Sequence, residues 1–218
     1  MATYRDRAEA GAALADRMRP YARRADAVVL GLVRGGVPVA AVVSARLGVP
    51  LDVLVVRKLG VPWAPEVAFG AVGPGGVRVL NPEVADRLPP EQVVEIAVRE
   101  ATEVRRREVR YRIGRPPLRL RGLAVILVDD GLATGATARA AIAVARSLDA
   151  ARVVLAVPVG SAGACAALEP LVDELVCPQR PSPFGAVSQH YRDFHQVTDG
   201  EVGAVLASSG VTATGTFE

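Results

Sequence analysis

The chain has 218 residues, half of them apolar and only 4% aromatic, with a formal net charge of +3. That length suits one large domain, and its core must be Val, Ala and Leu, as in a parallel sheet covered by helices. The small net charge argues against a dedicated nucleic-acid binder, no apolar run approaches a membrane span, and the charged start MATYRDRAEA lacks the apolar stretch of a targeting signal, so a cytoplasmic protein is expected.

Residues 4–18 predict an amphipathic helix with Tyr4, Ala8, Gly11, Leu14 and Met18 along one face. Residues 27–33 read as a buried strand. Arg34-Gly35-Gly36 then turns the chain into a helix over 37–47, with Pro38 in its first turn and Gly48 as its stop. A second strand, 51–56, ends on Arg57-Lys58 and completes a right-handed βαβ unit. Residues 66–72 and 77–80 flank Gly73-Pro74-Gly75-Gly76, which predicts an antiparallel hairpin with a mobile tip. From 82 to 113 the pattern is helical, interrupted near Leu88-Pro89-Pro90. Its second half is densely charged, with Glu95–Arg99 and Glu103–Arg107 at helix-stabilising spacing.

A link over 115–121 leads to a strand at 124–128 and a helix at 138–148. A strand at 152–157, a helix at 161–169 and a short strand at 172–176 follow. Residues 178–196 are irregular and hold most of the late aromatics. Thr198-Asp199-Gly200-Glu201 is a capping box that opens a last helix, to about 207. The tail, 208–218, is expected to be disordered. Cys165 and Cys177 stand too far apart in sequence for a redox or zinc pair and are expected as small buried hydrophobes. His190 and His195 lack the further ligands of a zinc site.

The most informative stretch is AVILVDDGLATGATA, residues 124–138. An apolar strand ends on two adjacent carboxylates, Asp129 and Asp130. A loop of small residues follows and leads into a helix. Open α/β sheets bind ligands at the carboxyl ends of their strands, beside helix starts. Small residues let the backbone approach a phosphate, and the N–H groups of a helix start point at it. Carboxylates beside such a nest suit a ligand with phosphate at one end and hydroxyls at the other, such as a phosphorylated ribose.

Residues 125–137 resemble the ribose-phosphate signature of the type I phosphoribosyltransferases. The resemblance implies that Asp129 and Asp130 hold the ribose 2′- and 3′-hydroxyls of 5-phosphoribosyl 1-pyrophosphate. Ala133, Thr134, Gly135, Ala136 and Thr137 would wrap its 5′-phosphate. Arg34, Gly35 and Gly36 look like the family's pyrophosphate loop, with a non-proline cis peptide expected near Val33–Arg34. Arg57-Lys58-x-Gly60 resembles the adenine-type members, and both cations could neutralise pyrophosphate; Lys58 is the only lysine among 26 basic residues. Residues 63–76 occupy the place of the flexible catalytic loop, which closes to exclude water.

Some six-oxopurine enzymes have an Asp as general base where this chain has Ala133, which leaves Glu66 as the candidate proton acceptor or donor. Residues 178–207 fall where the family builds its nucleobase hood, where Phe184 could stack on a base and Asp193 could contact it or the metal. The alternative for Phe184 is a satellite core shared with Tyr191 and Phe194. Mg²⁺ would be carried mainly by substrate oxygens, with Asp129 and Asp130 as weak protein contacts.

The implied fold is a single three-layer αβα domain, core about 25–177, around a mainly parallel sheet of about five strands. A flexible loop hairpin, about 59–80, and a small C-terminal hood would complete it. The implied reaction transfers phosphoribose to a nitrogen acceptor, a nucleobase by preference, and releases pyrophosphate; a homo-oligomer, by preference a dimer, is expected. Arg105, Arg106, Arg107, Arg110, Arg112 and Arg115 read as a solvated helix face, with a phosphate- or RNA-binding face as the alternative. That alternative corresponds to relatives that serve as ligand-sensing regulators of RNA or DNA. A ribose-phosphate hydrolase is the other rival.

Overall fold

Every residue of β1 (Ala27–Leu32) and of β6 (Ala124–Val128) is buried, as in a strand covered on both faces. The two pair in parallel, Val29 opposite Ile126. β2 (Leu51–Leu54) lies outside β1, while β7 (Arg152–Ala156) and β8 (Glu174–Val176) continue beyond β6. The five strands run parallel in the order β2-β1-β6-β7-β8. These features come from a computed structural model, which describes residues 3–209, the side chains of Pro65 and Glu66 excepted. The tail expected to be disordered falls outside the described residues from 210 onward.

Alternate strand residues point to opposite faces, and each face has its own core. Val29, Ile126, Val128 and Val154 join Leu14 of α1 (Arg7–Asp16), Val39 and Val43 of α2 (Gly36–Leu47), and Val202 of α7 (Asp199–Ser208). Leu30, Val125, Leu127 and Val153 join Ala141 and Val144 of α5 (Ala136–Ser147) and Cys165 of α6 (Ala162–Leu168). Between these come a one-turn α3 (Pro82–Ala85) and the long α4 (Pro90–Tyr111). The break at Leu88-Pro89-Pro90 is where expected. Gly48 ends α2 at φ +63°, a backbone conformation that glycine adopts freely. Thr198 and Glu201 close the capping box of α7.

The second strand is shorter than predicted. It stops at Leu54, and Arg57-Lys58 open a separate strand, β3 (Arg57–Val61). With β4 (Ala64–Val72) and β5 (Arg78–Leu80) it forms an antiparallel three-stranded sheet. The predicted hairpin is β4–β5, and β3 is an additional strand that spans the expected strand end at Arg57-Lys58 and the first residues of the loop hairpin. Buried Leu59 and Val61 alternate with more accessible neighbours, the strand period, but two basic residues and a glycine hide it. Asp52 of β2 holds Arg112 at 2.9 Å and Arg115 at 3.6 Å, which fixes the link after α4.

Of the two expected ion pairs on α4, Glu103–Arg107 forms and Glu95–Arg99 does not. Arg99 pairs with Glu100 at 3.1 Å rather than with Glu95, because Glu100 is a buried carboxylate that also draws Arg57. Glu103 binds Arg106 as well as Arg107. In α1 the buried face carries Arg7, Ala10, Gly11 and Leu14, whereas Ala8 is exposed.

From β1 the chain crosses to α2 on one face; from the adjacent β6 it crosses to α5 on the other. The two loops therefore part at the carboxyl ends of neighbouring strands. This is the topological switch point, where open α/β sheets leave a crevice for ligands.

Candidate functional site

A cleft of about 440 Å³ opens at that point. Asp129 and Asp130 form its floor, and Arg34 and Gly35 its wall on the β1 side. Thr137 lies on the α5 side, and Phe194 and His195 come from the hood. The Asp130 N–H donates to Asp129 Oδ1 at 2.9 Å, so one carboxylate turns back over its own loop. Burial pushes the Asp129 carboxyl well above the ordinary carboxylate range, and the neighbouring Asp130 charge adds to this. Burial raises Asp130 too, against the opposing pull of Arg7.

Glycine is required beside this pair for steric reasons. A Cβ on Gly35 would lie 2.1 Å from Asp130 Oδ2, and one on Gly36 would lie 2.3 Å from the Val128 carbonyl oxygen. The Val33–Arg34 peptide bond is cis, as the resemblance implied. Arg34 reaches Asp199 at 3.6 Å, at the start of α7.

The helix starts divide into three kinds, of which α4, after Pro89 and without a side-chain cap, is one. Asp6, Asn81, Ser161 and Thr198 each cap the N-terminus of the helix that follows. The two helices that open on the cleft, α2 and α5, follow Gly35 and Gly135 and have no side-chain cap. Gly135 sits at φ +79°, and a Cβ there would also come within 3.0 Å of Leu168. Thr134 Oγ1 lies 3.5 Å from the Ala136 N–H, and Ser161 Oγ donates to the Ala133 carbonyl at 2.7 Å. The loop from Ala133 to Thr137 is thus held from outside, while the helix start keeps only the long Thr134 contact.

Sequence reasoning missed Arg7. Residues 4 and 5 run beside 190–193 through backbone hydrogen bonds, including Arg192 N–H to the Tyr4 carbonyl at 2.8 Å. α1 then begins, with Arg7 in its first turn aimed under the hood. Its Nε and Nη2 donate to Asp130 Oδ2 at 3.0 and 2.9 Å, and Nη1 donates to the His195 carbonyl at 2.9 Å. The guanidinium lies 4.0 Å from the centroid of the Phe194 ring. Tyr191 Oη donates to the Asp130 carbonyl at 2.5 Å. The available signal was Arg7 at helical spacing from Gly11 and Leu14, a charge on an apolar stripe.

Other expected residues lie elsewhere. Phe184 stacks on His190, centroids 5.2 Å apart, beside the cluster of Tyr4, Ala10, Val159 and Tyr191. It belongs to a satellite core, and Phe194 is the aromatic on the cleft. Asp193 sits 3.4 Å from His195. Arg57 is bound to Glu100 at 2.8 Å, and Lys58 is exposed; neither lines the cleft. Glu66 lies in β4, and its side chain is outside the described residues.

Cys165 and Cys177, distant in sequence, are neighbours in space. A Cβ on Gly160 would meet their sulfurs at 3.0 and 3.3 Å. Burial and the adjacent Cys165 push the Cys177 thiol up to about 12. Both are free thiols, Cys165 buried and Cys177 partly so, brought together because α6 carries Cys165 beside the end of β8.

The donor set does not fit a protein-held divalent cation. Asp130 is already engaged by Arg7, Asp129 is buried, and no group of three or more His, Cys, Asp or Glu side chains could hold a metal among the described residues. Among the described residues, no helix is long and apolar enough to cross a membrane.

A crevice at the switch point, with two helix starts on its walls and paired carboxylates on its floor, defines an open α/β protein with its ligand cleft at the carboxyl ends of β1 and β6. The chain matches the phosphoribosyl transferase domain over residues 4–193 and belongs to that family. Two Mycobacterium tuberculosis proteins provisionally named phosphoribosyl transferases are 49% identical to it over 208 residues, 94% of this chain and 47% of each relative. The chain therefore spans about half the length of the curated relatives it matches. The crystal structure of TT1426 from Thermus thermophilus is 45% identical, with a TM-score of 0.87 over 94% of this chain and 97% of that one.

Proposed function

We propose that this protein is a phosphoribosyltransferase that binds 5-phosphoribosyl 1-pyrophosphate in the switch-point cleft. It transfers phosphoribose to a nitrogen acceptor, a nucleobase-like ring by preference, and releases pyrophosphate. One observation supports this above the rest: the two helices that open on the paired carboxylates are the two that follow glycine with no side-chain cap. In this reading, the N–H groups at the start of α5 receive the 5′-phosphate. Those around Gly35 and Gly36, with the Arg34 cation, receive the pyrophosphate. Asp129 and the free oxygen of Asp130 accept hydrogen bonds from the ribose hydroxyls. Mg²⁺ then belongs to the substrate's own pyrophosphate, since the protein carboxylates are otherwise engaged.

The acceptor would enter beside Phe194, and Lys58 and Glu66 would reach the ligand from β3 and β4. The regulatory alternative loses support from the arginine-rich helix. Arg106 and Arg107 are bound to Glu103, Arg110 to Asp199, and Arg112 and Arg115 to Asp52. Calorimetric binding of 5-phosphoribosyl 1-pyrophosphate, followed by an assay for released pyrophosphate across a panel of nucleobases, tests the reading. Binding with release is expected; a wild-type protein that binds no 5-phosphoribosyl 1-pyrophosphate would overturn it.

A further inference from the structure

Helix α4 has two apolar faces. Ile96, Ala97 and Val104 are buried against the domain. On the far side, Val94, Val98 and Val109 are 53%, 59% and 67% exposed. An α-helix turns about 100° per residue. On that spacing Glu91, Val94, Glu95, Val98, Thr102, Arg105 and Val109 fall within one stripe roughly 100° wide, and all seven are exposed. The helix has 22 residues and is about 33 Å long. Among the described residues nothing covers this stripe.

The charges on the stripe are ordered. Glu91 and Glu95 lie in its first half and Arg105 in its second. Beside the stripe, Arg99, bound to Glu100, flanks the first half, and Arg106 and Arg110 flank the second. Glu91, Glu95 and Arg105 enter no ion pair among the described residues, although Arg106 is bound to Glu103 and Arg110 to Asp199. Place an identical helix across it, antiparallel, with the two-fold axis at Glu100. Glu95 then faces Arg105 of the copy, and the same pair recurs on the other side of the axis. Val98 faces Thr102, and Glu91 faces Val109. The acidic half of one stripe meets the basic half of the other. A surface that complements itself in this way fits an isologous two-fold interface.

We infer that the outer face of α4 is a docking surface for a second copy of this chain, packed antiparallel through Val94, Val98 and Val109. Paired Glu95 and Arg105 side chains set its register. This inference does not rest on the proposed reaction, since the stripe lies outside the catalytic cleft.

Charge reversal tests it without disturbing the fold, because both side chains are exposed. E95R places two arginines across the axis at each pairing, and R105E places two glutamates there. Sedimentation equilibrium of the wild type should show a dimer. Each single variant should weaken it about tenfold or more, with unchanged circular dichroism. The double variant E95R/R105E should dimerise like the wild type. An equimolar mixture of the two single variants should form a mixed dimer, since every arginine then meets a glutamate. V98D should weaken the dimer by loss of the apolar contact. A monomeric wild type would overturn the inference, and that is the outcome expected if the other half of the longer relatives covers this stripe. A dimer that both single reversals leave intact would overturn it as well.

Discussion

Removing the charge of Asp129 should stabilise the empty protein while weakening its ligand binding. The folded state holds this carboxyl above its ordinary value of 3.8. Below that value both folded and unfolded chains keep the proton, and the residue costs little. As the pH rises, the unfolded chain ionises first, so the folded chain binds more protons and stability falls until the folded value is passed. D129N lacks this ionisation. At pH 7.5 it should resist urea better than wild type by about 1–3 kcal/mol, with the gap closing near pH 4. Affinity for 5-phosphoribosyl 1-pyrophosphate should fall about tenfold or more, the loss of one charge-assisted hydrogen bond. A denaturation midpoint that is the same for both proteins at pH 7.5 would show that the Asp129 charge is not a buried one.

Burial raises the Asp130 carboxyl as well, against the pull of Arg7. Substitution should nevertheless act in the opposite sense there, because it also takes the counter-charge from a buried guanidinium. Asp130 is the counter-charge of Arg7, whose side chain is only 8% exposed. D130N leaves that guanidinium without its anion, and breaking a buried pair by removing one partner is destabilising. A melting temperature below wild type is expected, by roughly 2–4 °C for each kcal/mol lost in a domain of this size. The sequence displayed both carboxylates and their loop, because adjacent charges at the end of an apolar strand stand out. It did not display Arg7, whose role depends on residues 4 and 5 running beside 190–193 some 180 positions away.

At the scale of elements, the start of α5 carries the clearest prediction. Gly135 holds φ +79° and has Leu168 within 3.0 Å of any added Cβ. G135V should strain this turn and press on Leu168, which displaces the open N–H groups from their present positions. Sulfate should bind the wild type between Thr134 and Thr137 in a soaked crystal and should be absent from the variant. Sulfate found only along the arginines of α4 would misplace the nest. The order of helices and parallel strands could be read from apolar runs, capping residues and Gly/Pro breaks, all of which act locally. β3 could not, because its pairing with β4 is long-range and its first residues, Arg57 and Lys58, resemble a solvated strand end. The same limit left Phe184 between a base and a satellite core, and the core is where it lies, against His190.

For the molecule as a whole, the open question is how the small sheet and the cleft cooperate. Two residues separate β3 from the carboxyl end of β2, and β2 adjoins β1, whose following loop walls the cleft. Lys58 therefore begins on the cleft's edge of the main sheet, yet it is exposed and outside the lining. The turn from β3 to β4 carries Trp63, the chain's single tryptophan, 69% exposed. If the β3–β4 hairpin closes over bound 5-phosphoribosyl 1-pyrophosphate, Trp63 changes environment and Lys58 approaches the departing pyrophosphate. Negative charge grows on that group as the bond to ribose breaks, so a cation there acts more on the transition state than on the bound substrate. K58M keeps the stem and removes the charge. Turnover should fall about 10²-fold with a smaller loss of binding, and K58R should restore it only in part, because a planar fork does not replace a compact ammonium. Tryptophan fluorescence should shift on ligand binding in both wild type and K58M, which separates closure from chemistry. Unchanged turnover in K58M would return Lys58 to a solvated strand end, and unchanged fluorescence on saturation would show that the hairpin does not close.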